Sequence, residues 1–293
     1  MDVAQLAGLG VSFSIFLVVL SLGLRTSLRD ATSLFRHPWL LLRSIFAMNI
    51  AMPLVVAAIV SLFALHPPVK VALIAFAVSP MPPFLPGKEV KLVTAGHEAY
   101  VYGLLVATSV LAIVIVPLTT GLLGAMFGQA VSIAPLAVAR IVAISVLLPL
   151  GAGIALRHWL PVVARWSSTV NTIGMVLLAL ILVVLAARLS QAMIGLIGDG
   201  TLLAIVVVAL IGIAVGHLLG GPDEDNRTVL ALTTASRHPA VALAVAGFAG
   251  QALAPAAVLL ALVVTALAAV PYSAWRRRRR VDTAMPHEKA GFR

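Results

Sequence analysis

The sequence predicts an all-α protein that crosses a membrane about nine times, and three features support this prediction. Hydrophobic residues make up 61% of the 293-residue chain and charged residues only 10%, whereas soluble domains carry about 25% charge. The apolar residues form runs of about 20, the length that a helix needs to cross the hydrocarbon core. Two of the runs are broken in the middle by proline and charge. The predicted spans are 4–24, 38–64, 69–96, 99–124, 133–157, 167–187, 200–220, 227–250 and 254–275.

The interruptions lie in the third and eighth spans. Residues 79–89 contain four prolines followed by Lys88 and Glu89, and residues 233–239 read Thr-Thr-Ala-Ser-Arg-His-Pro. Because proline has no N–H and clashes with the preceding turn, no continuous helix crosses the first segment. Unwound backbone at bilayer depth occurs only where protein encloses it. A pair of interruptions in matching positions therefore indicates a transporter binding site.

The interruptions also divide the chain into two comparable halves. Four spans precede a polar midpoint and five follow it, and the broken span is the next to last in each half. This arrangement predicts an inverted repeat (4+5) with two crossed, broken helices. The predicted units are a first half at 1–125 with its broken helix at 69–96, a second half at 131–275 with its broken helix at 227–250, and a basic cytoplasmic tail at 276–293.

Basic residues are concentrated in alternate loops, which predicts the orientation. Only Lys70 and Arg188 fall in loops assigned to the outside, and all four tryptophans lie at the opposite helix ends, where aromatic residues anchor helices. The N-terminus is therefore expected outside and the C-terminus in the cytoplasm, with the protein as a multi-pass component of the cell membrane. The basic residues assigned to the cytoplasmic side are Arg25, Arg29, Arg36, Arg157, Arg165, Arg227 and the run Arg276–Arg280.

The net charge of +10 is not interpreted as a nucleic-acid surface. The arginine run directly follows an apolar segment that ends at Trp275. We interpret it as a positive-inside anchor in the lipid bilayer. A specific site for anionic lipid is the alternative.

Lys88 and Arg237 are the leading candidates for a binding site, because they occupy corresponding positions in the two interruptions. A charge at bilayer depth costs at least about 2.5–3.5 kcal/mol, so each cation should have a partner or a function. In one interpretation, each cation caps the carbonyl end of the opposite half-helix and fixes the crossing. In the other, the two cations attract an anionic substrate. Glu89 is interpreted as a charge-balancing partner, with proton transfer as the alternative.

Five further polar residues complete the candidate site. Ser236 and His238 flank Arg237, and Thr233 lies one turn earlier. Asn49 lies beside the Met-Pro pair of the second span, where a helix–helix hydrogen bond explains it equally well. Thr108 lies in the fourth span, where bonding to its own helix is the simpler explanation.

The sequence offers no site for enzyme chemistry. It has no cysteine, which excludes disulfides and thiolate metal sites. His97-Glu98 begins a string like that of zinc proteases, but Val101 stands where the second histidine should be. No phosphate-binding glycine loop of the Walker type occurs. We therefore expect no enzyme activity, no cofactor and no metal.

At the level of motifs, the chain resembles the bile acid:sodium symporter family. The resemblance rests on Leu22-Gly23-Leu24-Arg25, Arg29-Asp30, Met52-Pro53, the two broken helices, and Ala242-Leu243-Ala244-Val245, and it extends from the first span to Tyr272. It implies a core domain with two crossed helices and a smaller panel domain. Family members usually have ten spans, and on this resemblance the four-plus-five count is expected to correspond to a member without the first panel helix. The resemblance also implies transport of a bile-acid-like or other amphipathic carboxylate.

The sequence departs from the family at the residues that bind sodium. The family's serine-asparagine pair of the first break falls on Gly87 and Lys88, and the glutamate and glutamine of the second fall on Thr233 and Arg237. Another family glutamine falls on Met48, beside Asn49, and Thr108 is the one ligand-like residue retained. Two sodium-binding positions thus carry fixed cations, which argues against sodium coupling.

The function predicted from these observations is secondary transport of a small organic anion by alternating access at the helix crossing. The alternative within the family is a symporter coupled to sodium, or to protons through Glu89, His97 or His238. The alternative of another class is a membrane sensor or binding protein that does not transport. An intramembrane enzyme is third, because no nucleophile or metal cluster is found. No nucleic-acid partner is expected.

Overall fold

The computed structural model describes residues 3–85, 98–126 and 134–284, and all regular secondary structure in these residues is helical. Short helical turns at Leu28–Ala31, Ser33–Arg36 and Pro161–Trp166 connect longer helices. The longer helices are α1 (Val3–Gly23), α2 (Pro38–Leu62), α3 (Pro67–Val78), α4 (Glu98–Met126), α5 (Pro135–Trp159), α6 (Ser167–Gly195), α7 (Thr201–Leu219), α8 (Glu224–Ala235), α9 (Pro239–Phe248), α10 (Ala254–Ala268) and α11 (Val270–Ala284).

The prediction of an all-α polytopic membrane protein is confirmed. Within the described residues, seven helical stretches are long and apolar enough to cross a bilayer, and the two shorter apolar helices are Gly8–Gly23 and Pro67–Val78. Each of the nine predicted spans corresponds to one of these stretches. The second half of the third span, at 88–96, lies outside the described residues. The division into two related halves remains a prediction.

The last described helix extends into the segment predicted as a basic cytoplasmic tail at 276–293. Helix α11 continues through the arginine run to Ala284, and the assignment of this segment to the cytoplasm remains a prediction. Arginine is a good helix former, and the first arginine of the run has partners in the fold. Arg276 is only 9% exposed, and its guanidinium bonds to Glu224 and Thr228 of α8.

Two tight helix pairs organise the molecule, α1 with α6 and α7 with α8. In the second pair, glycines at 212, 216 and 220 recur every four residues and face the backbone of α8. A Cβ built on Gly216 would lie 2.4 Å from the carbonyl oxygen of Leu230 and 2.6 Å from the Cα of Ala231. The absence of side chains there lets α8 lie directly against α7. This contact fixes the position of the second broken helix.

The apolar core has two main clusters, and the interruptions lie where they meet. One cluster includes α3 as far as Val78 and α9 from Val241, together with parts of α2, α7 and α10. The other includes Met81 of the first break and α8 as far as Leu232, together with parts of α1 and α4. Ser79, Arg237 and His238 lie where the two clusters meet and are buried.

We predict that Gly216→Ala lowers the free energy of unfolding by about 1–3 kcal/mol, because the added methyl group would overpack the α7–α8 contact. Gly121→Ala is the matched control, since its Cβ would meet nothing within 4 Å. That substitution should be neutral or slightly stabilising, because alanine favours a helix. The measurement is unfolding in mixed micelles titrated with denaturing detergent. Equal stabilities for the two variants would contradict the close packing.

Candidate functional site

The first break begins where proline removes the donors that would continue α3. The helix ends at Val78, and Ser79 has extended dihedrals, φ −74° and ψ 148°. The usual helical donor to the Ser79 carbonyl is the N–H of residue 83, which is a proline. Residues 79–83 are nevertheless buried, so their backbone groups need partners from elsewhere. The candidates Lys88 and Glu89 lie outside the described residues, as does His97.

The second break is shorter and separates α8 from α9. Helix α8 ends at Ala235, and Ser236 is extended, with φ −109° and ψ 145°. Helix α9 begins with Pro239 in its first turn, where a missing N–H costs nothing. The three residues between the helices are Ser236, Arg237 and His238.

The backbones of the two breaks contact each other directly. The N–H of His238 donates a hydrogen bond of 2.9 Å to the carbonyl oxygen of Pro80. His238 precedes α9, so its N–H is one of the donors that a helix start leaves unpaired. The Pro80 carbonyl is an acceptor freed by the break in α3. Each interruption thus supplies a partner that the other lacks.

Arg237 lies at the same meeting point and is 2% exposed. Its Nη1 lies 3.4 Å from the carbonyl oxygen of Ser79, and its Nη2 donates to the carbonyl oxygen of Met48 at 3.0 Å. Ser79 closes the C-terminal end of α3, where the helix dipole is negative. Arg237 therefore contacts the C-terminal end of α3, and both the capping and the substrate interpretation of this residue remain predictions. Within the described residues, no carboxylate pairs with Arg237.

The Met48 carbonyl is available because of the Met-Pro pair in α2. Residues Phe46–Ala51 form a π-helical turn, and the N–H of Met52 donates to the carbonyl of Ala47. The next residue, Pro53, has no N–H. Neither residue can donate to Met48, so its carbonyl oxygen is left for the guanidinium of Arg237.

The side chain of His238 contacts a third helix. Its Nε2 lies 3.2 Å from the Oγ of Ser145, within the π-helical turn Ala143–Leu147 of α5. The Ser145 hydroxyl donates to the carbonyl of Ile141 at 2.7 Å, so Nε2 must be the donor in the contact with His238. Nδ1 is then the unprotonated nitrogen. It is buried and has no hydrogen-bond partner in the described part of the chain.

A cavity of about 410 Å³ adjoins both breaks. Phe84 and Leu85 line it from the first break and Ser236 from the second. Its wall also includes Ser273 and Arg277 of α11. A volume in this range, with mainly apolar walls and a few polar groups, is typical of small-molecule sites. Arg277 had been assigned only to the basic anchor, so its place in the cavity wall is new.

The other predicted site residues lie on three different helices. Thr233 is fully buried in α8. Thr108 is buried in α4, and its hydroxyl donates to the carbonyl of Leu104 in its own helix at 2.8 Å. Asn49 is half-buried in the π-helical turn of α2. The backbone carbonyl of its neighbour Met48 reaches Arg237 instead.

Two features of this region were not predicted from the sequence. The unpaired carbonyl of Met48 could have been predicted from Pro53, because this proline lacks the N–H that would bond to it. The contacts of Arg276 could not have been predicted, because nothing in the sequence distinguishes it from the four arginines that follow it. Its Nη1 lies 3.0 Å from Oε2 of Glu224, and its Nε donates to the Thr228 hydroxyl at 2.7 Å. These contacts join α11 to the first turns of α8.

Among the described residues, no cluster of three or more histidines and acidic residues could hold a metal.

In this helical membrane protein, the breaks that follow α3 and α8 meet beside a buried cation, as broken helices do at the binding sites of secondary transporters. The family model named Sodium Bile acid symporter family matches residues 12–196, more than half of the chain. The chain belongs to that family, whose members are transporters. The matched residues include the first break and end before the second. No curated protein matches the chain.

Proposed function

We propose that the protein is a secondary carrier of an organic anion that works by alternating access where the two breaks meet and does not use sodium. The observation that supports this proposal is the position of Arg237. In such transporters, freed carbonyls and the C-terminal ends of half-helices coordinate the coupling cation. Here the guanidinium contacts two carbonyls of this kind, from Ser79 and Met48.

A sodium ion would compete poorly for the same oxygen atoms. Two unit charges 4 Å apart repel by about 4 kcal/mol at an effective dielectric constant of 20. The guanidinium is covalently attached, so it holds the crossing together without a bound ion. The family's glutamine at this position is uncharged and would leave room for sodium. Arg237 is therefore proposed as a built-in replacement for a coupling cation.

The cavity beside the breaks supports an amphipathic anion as the substrate. Phe76, Phe84 and Leu232 offer an apolar wall, and Ser236 supplies a hydroxyl at the second break. Arg277 is the positive charge in the wall. A carboxylate with a hydrophobic body suits this combination. Lys88 is proposed to add to the positive potential at the first break.

Uptake into proteoliposomes tests the absence of sodium coupling. The substrate is the amphipathic carboxylate that most stabilises the purified protein in a thermal screen, with cholate included. We expect saturable uptake and counterflow that are the same in sodium and potassium buffers. An imposed sodium gradient that drives accumulation would refute the proposal. Binding without counterflow would instead favour a sensor or binding protein.

The variant Arg237→Gln gives the matched comparison. Removing the guanidinium frees the carbonyls of Ser79 and Met48, which then have no donor. We expect the thermal midpoint of the variant to rise in sodium relative to potassium, while that of the unmodified protein does not. If the variant does not fold, a sodium-dependent midpoint in the unmodified protein still counts against the proposal.

Proton coupling through His238 is the second candidate, and the bare Nδ1 of that side chain favours it. Nδ1 is the nitrogen of this side chain at which a proton would be carried, because Nε2 already donates to Ser145. We predict that a pH gradient, acidic on the side of uptake, accelerates transport, and that His238→Gln removes this acceleration. Ser145→Ala is the control, because it disturbs the Nε2 contact and leaves Nδ1 in place. Acceleration that persists in His238→Gln would exclude this role.

We also propose that the N-terminus lies outside and the C-terminus in the cytoplasm. Arg157 donates to the carbonyl of Arg25, so two loops assigned to the cytoplasmic side meet at one face. Because the chain has no cysteine, single cysteines can report the orientation. Leu160→Cys and Ile197→Cys lie in exposed connections at opposite ends of α6. An impermeant maleimide should label only Ile197→Cys in intact cells. The reverse pattern would invert the orientation.

A further inference from the structure

A small cavity of about 20 Å³ lies next to Arg237, separate from the large cavity. Such a volume holds one particle of about the size of a water molecule. Its walls are mostly apolar, with Met52, Leu73 and Ile205 among them. The polar residues that line it are Thr234, Arg237 and Thr265. Thr234 lies in the last turn of α8, Arg237 lies in the second break, and Thr265 lies in α10.

The polar groups at this cavity include more hydrogen-bond donors than the described residues satisfy, and the charge of Arg237 is positive. A guanidinium has five N–H groups, and the carbonyls of Ser79 and Met48 engage only two of them. Thr234 is 1% exposed, and no described residue hydrogen-bonds its Oγ1. Buried donors without acceptors are costly, and a buried charge without an opposite charge is more so. Within the described residues, nothing neutralises Arg237.

We propose that this cavity is a binding site for one small monovalent anion, such as chloride, held by Arg237 and Thr234. An anion accepts from every donor that faces it and neutralises the guanidinium. A water molecule also fits the volume, but it carries no charge and leaves the guanidinium of Arg237 without an opposite charge. A cation is excluded by the charge of Arg237. The donor set and the charge therefore select an anion.

The small cavity has a route of access. Phe76 and Thr265 line both it and the large cavity, so these two side chains form the partition between them. Movement of the Phe76 ring would connect the cavities. The inference goes beyond the proposed function, because it concerns an inorganic ion that is bound in addition to the organic substrate. A bound anion leaves the contacts of Arg237 with the carbonyls of Ser79 and Met48 unchanged.

The test is thermal unfolding of the purified full-length protein at constant ionic strength, as potassium chloride replaces potassium gluconate. Gluconate is too large for the cavity. We expect the midpoint to rise with chloride and to saturate, as for a ligand that binds only the folded state. Bromide should act in the same way. Thr234→Val keeps the side-chain volume and removes the hydroxyl, so it should require at least tenfold more chloride for the same shift.

Thr120→Val is the matched control. Thr120 is 2% exposed, but its hydroxyl donates to Val116 in its own helix, and it does not line the cavity. Its chloride response should equal that of the unmodified protein. Equal midpoints in chloride and gluconate, or an unchanged response in Thr234→Val, would overturn the proposal. If Thr234→Val does not fold, anomalous scattering from bromide in crystals decides, since no peak beside Arg237 would overturn it.

The result of the chloride experiment does not depend on the result of the sodium experiment. The chloride response is measured without substrate, without transport and without sodium. A protein that accumulates substrate along a sodium gradient and still responds to chloride would refute the proposed function alone. A protein that transports without sodium and ignores chloride would refute the anion site alone.

Discussion

The contact of the Arg237 guanidinium with the carbonyls of Met48 and Ser79 is the interaction on which the centre of this protein depends. The breaks after α3 and after α8 leave backbone groups of buried residues unpaired, where water does not satisfy them. The guanidinium of Arg237 and the N–H of His238, which donates to the carbonyl of Pro80, supply the missing donors. Without a donor at this position, the carbonyls of Met48 and Ser79 would be buried and unsatisfied. The same contact places a positive charge where the proposed function requires one.

Prolines leave both of these carbonyls without a helical donor. Pro83 removes the helical donor to Ser79, and Pro53 removes the donor to Met48, so both carbonyls turn to a side chain from the second break. Under the proposed function, this covalently attached cation takes the place of the ion that freed carbonyls hold in other transporters. The contact between the two breaks would then not vary with the ion concentration. A small anion beside Arg237 would balance its charge without competing for the carbonyls.

The C-terminal helix connects this centre to the surface. Arg276 ties α11 to the start of α8 through Glu224 and Thr228, and the next residue, Arg277, lines the large cavity. The cavity therefore has walls from both breaks and from the basic helix. A movement of α8 relative to α11 would change the cavity and strain the Arg276 contacts together. The arginine run is thereby part of the structure around the cavity as well as a source of positive charge.

The sequence by itself determined the membrane class, the positions of the helices and the two interruptions, because hydropathy and the missing N–H of proline act locally. It also identified Arg237 as a residue that needs a partner. Only the tertiary structure decided which partner: the Met48 carbonyl lies 189 positions earlier in the chain, and Ser145 lies 93 positions from His238. Likewise, five consecutive arginines are equivalent in sequence, and only packing against α8 distinguishes Arg276. Contacts between distant segments depend on how the helices pack, which features such as the glycines of α7 determine. A local sequence pattern does not specify these contacts.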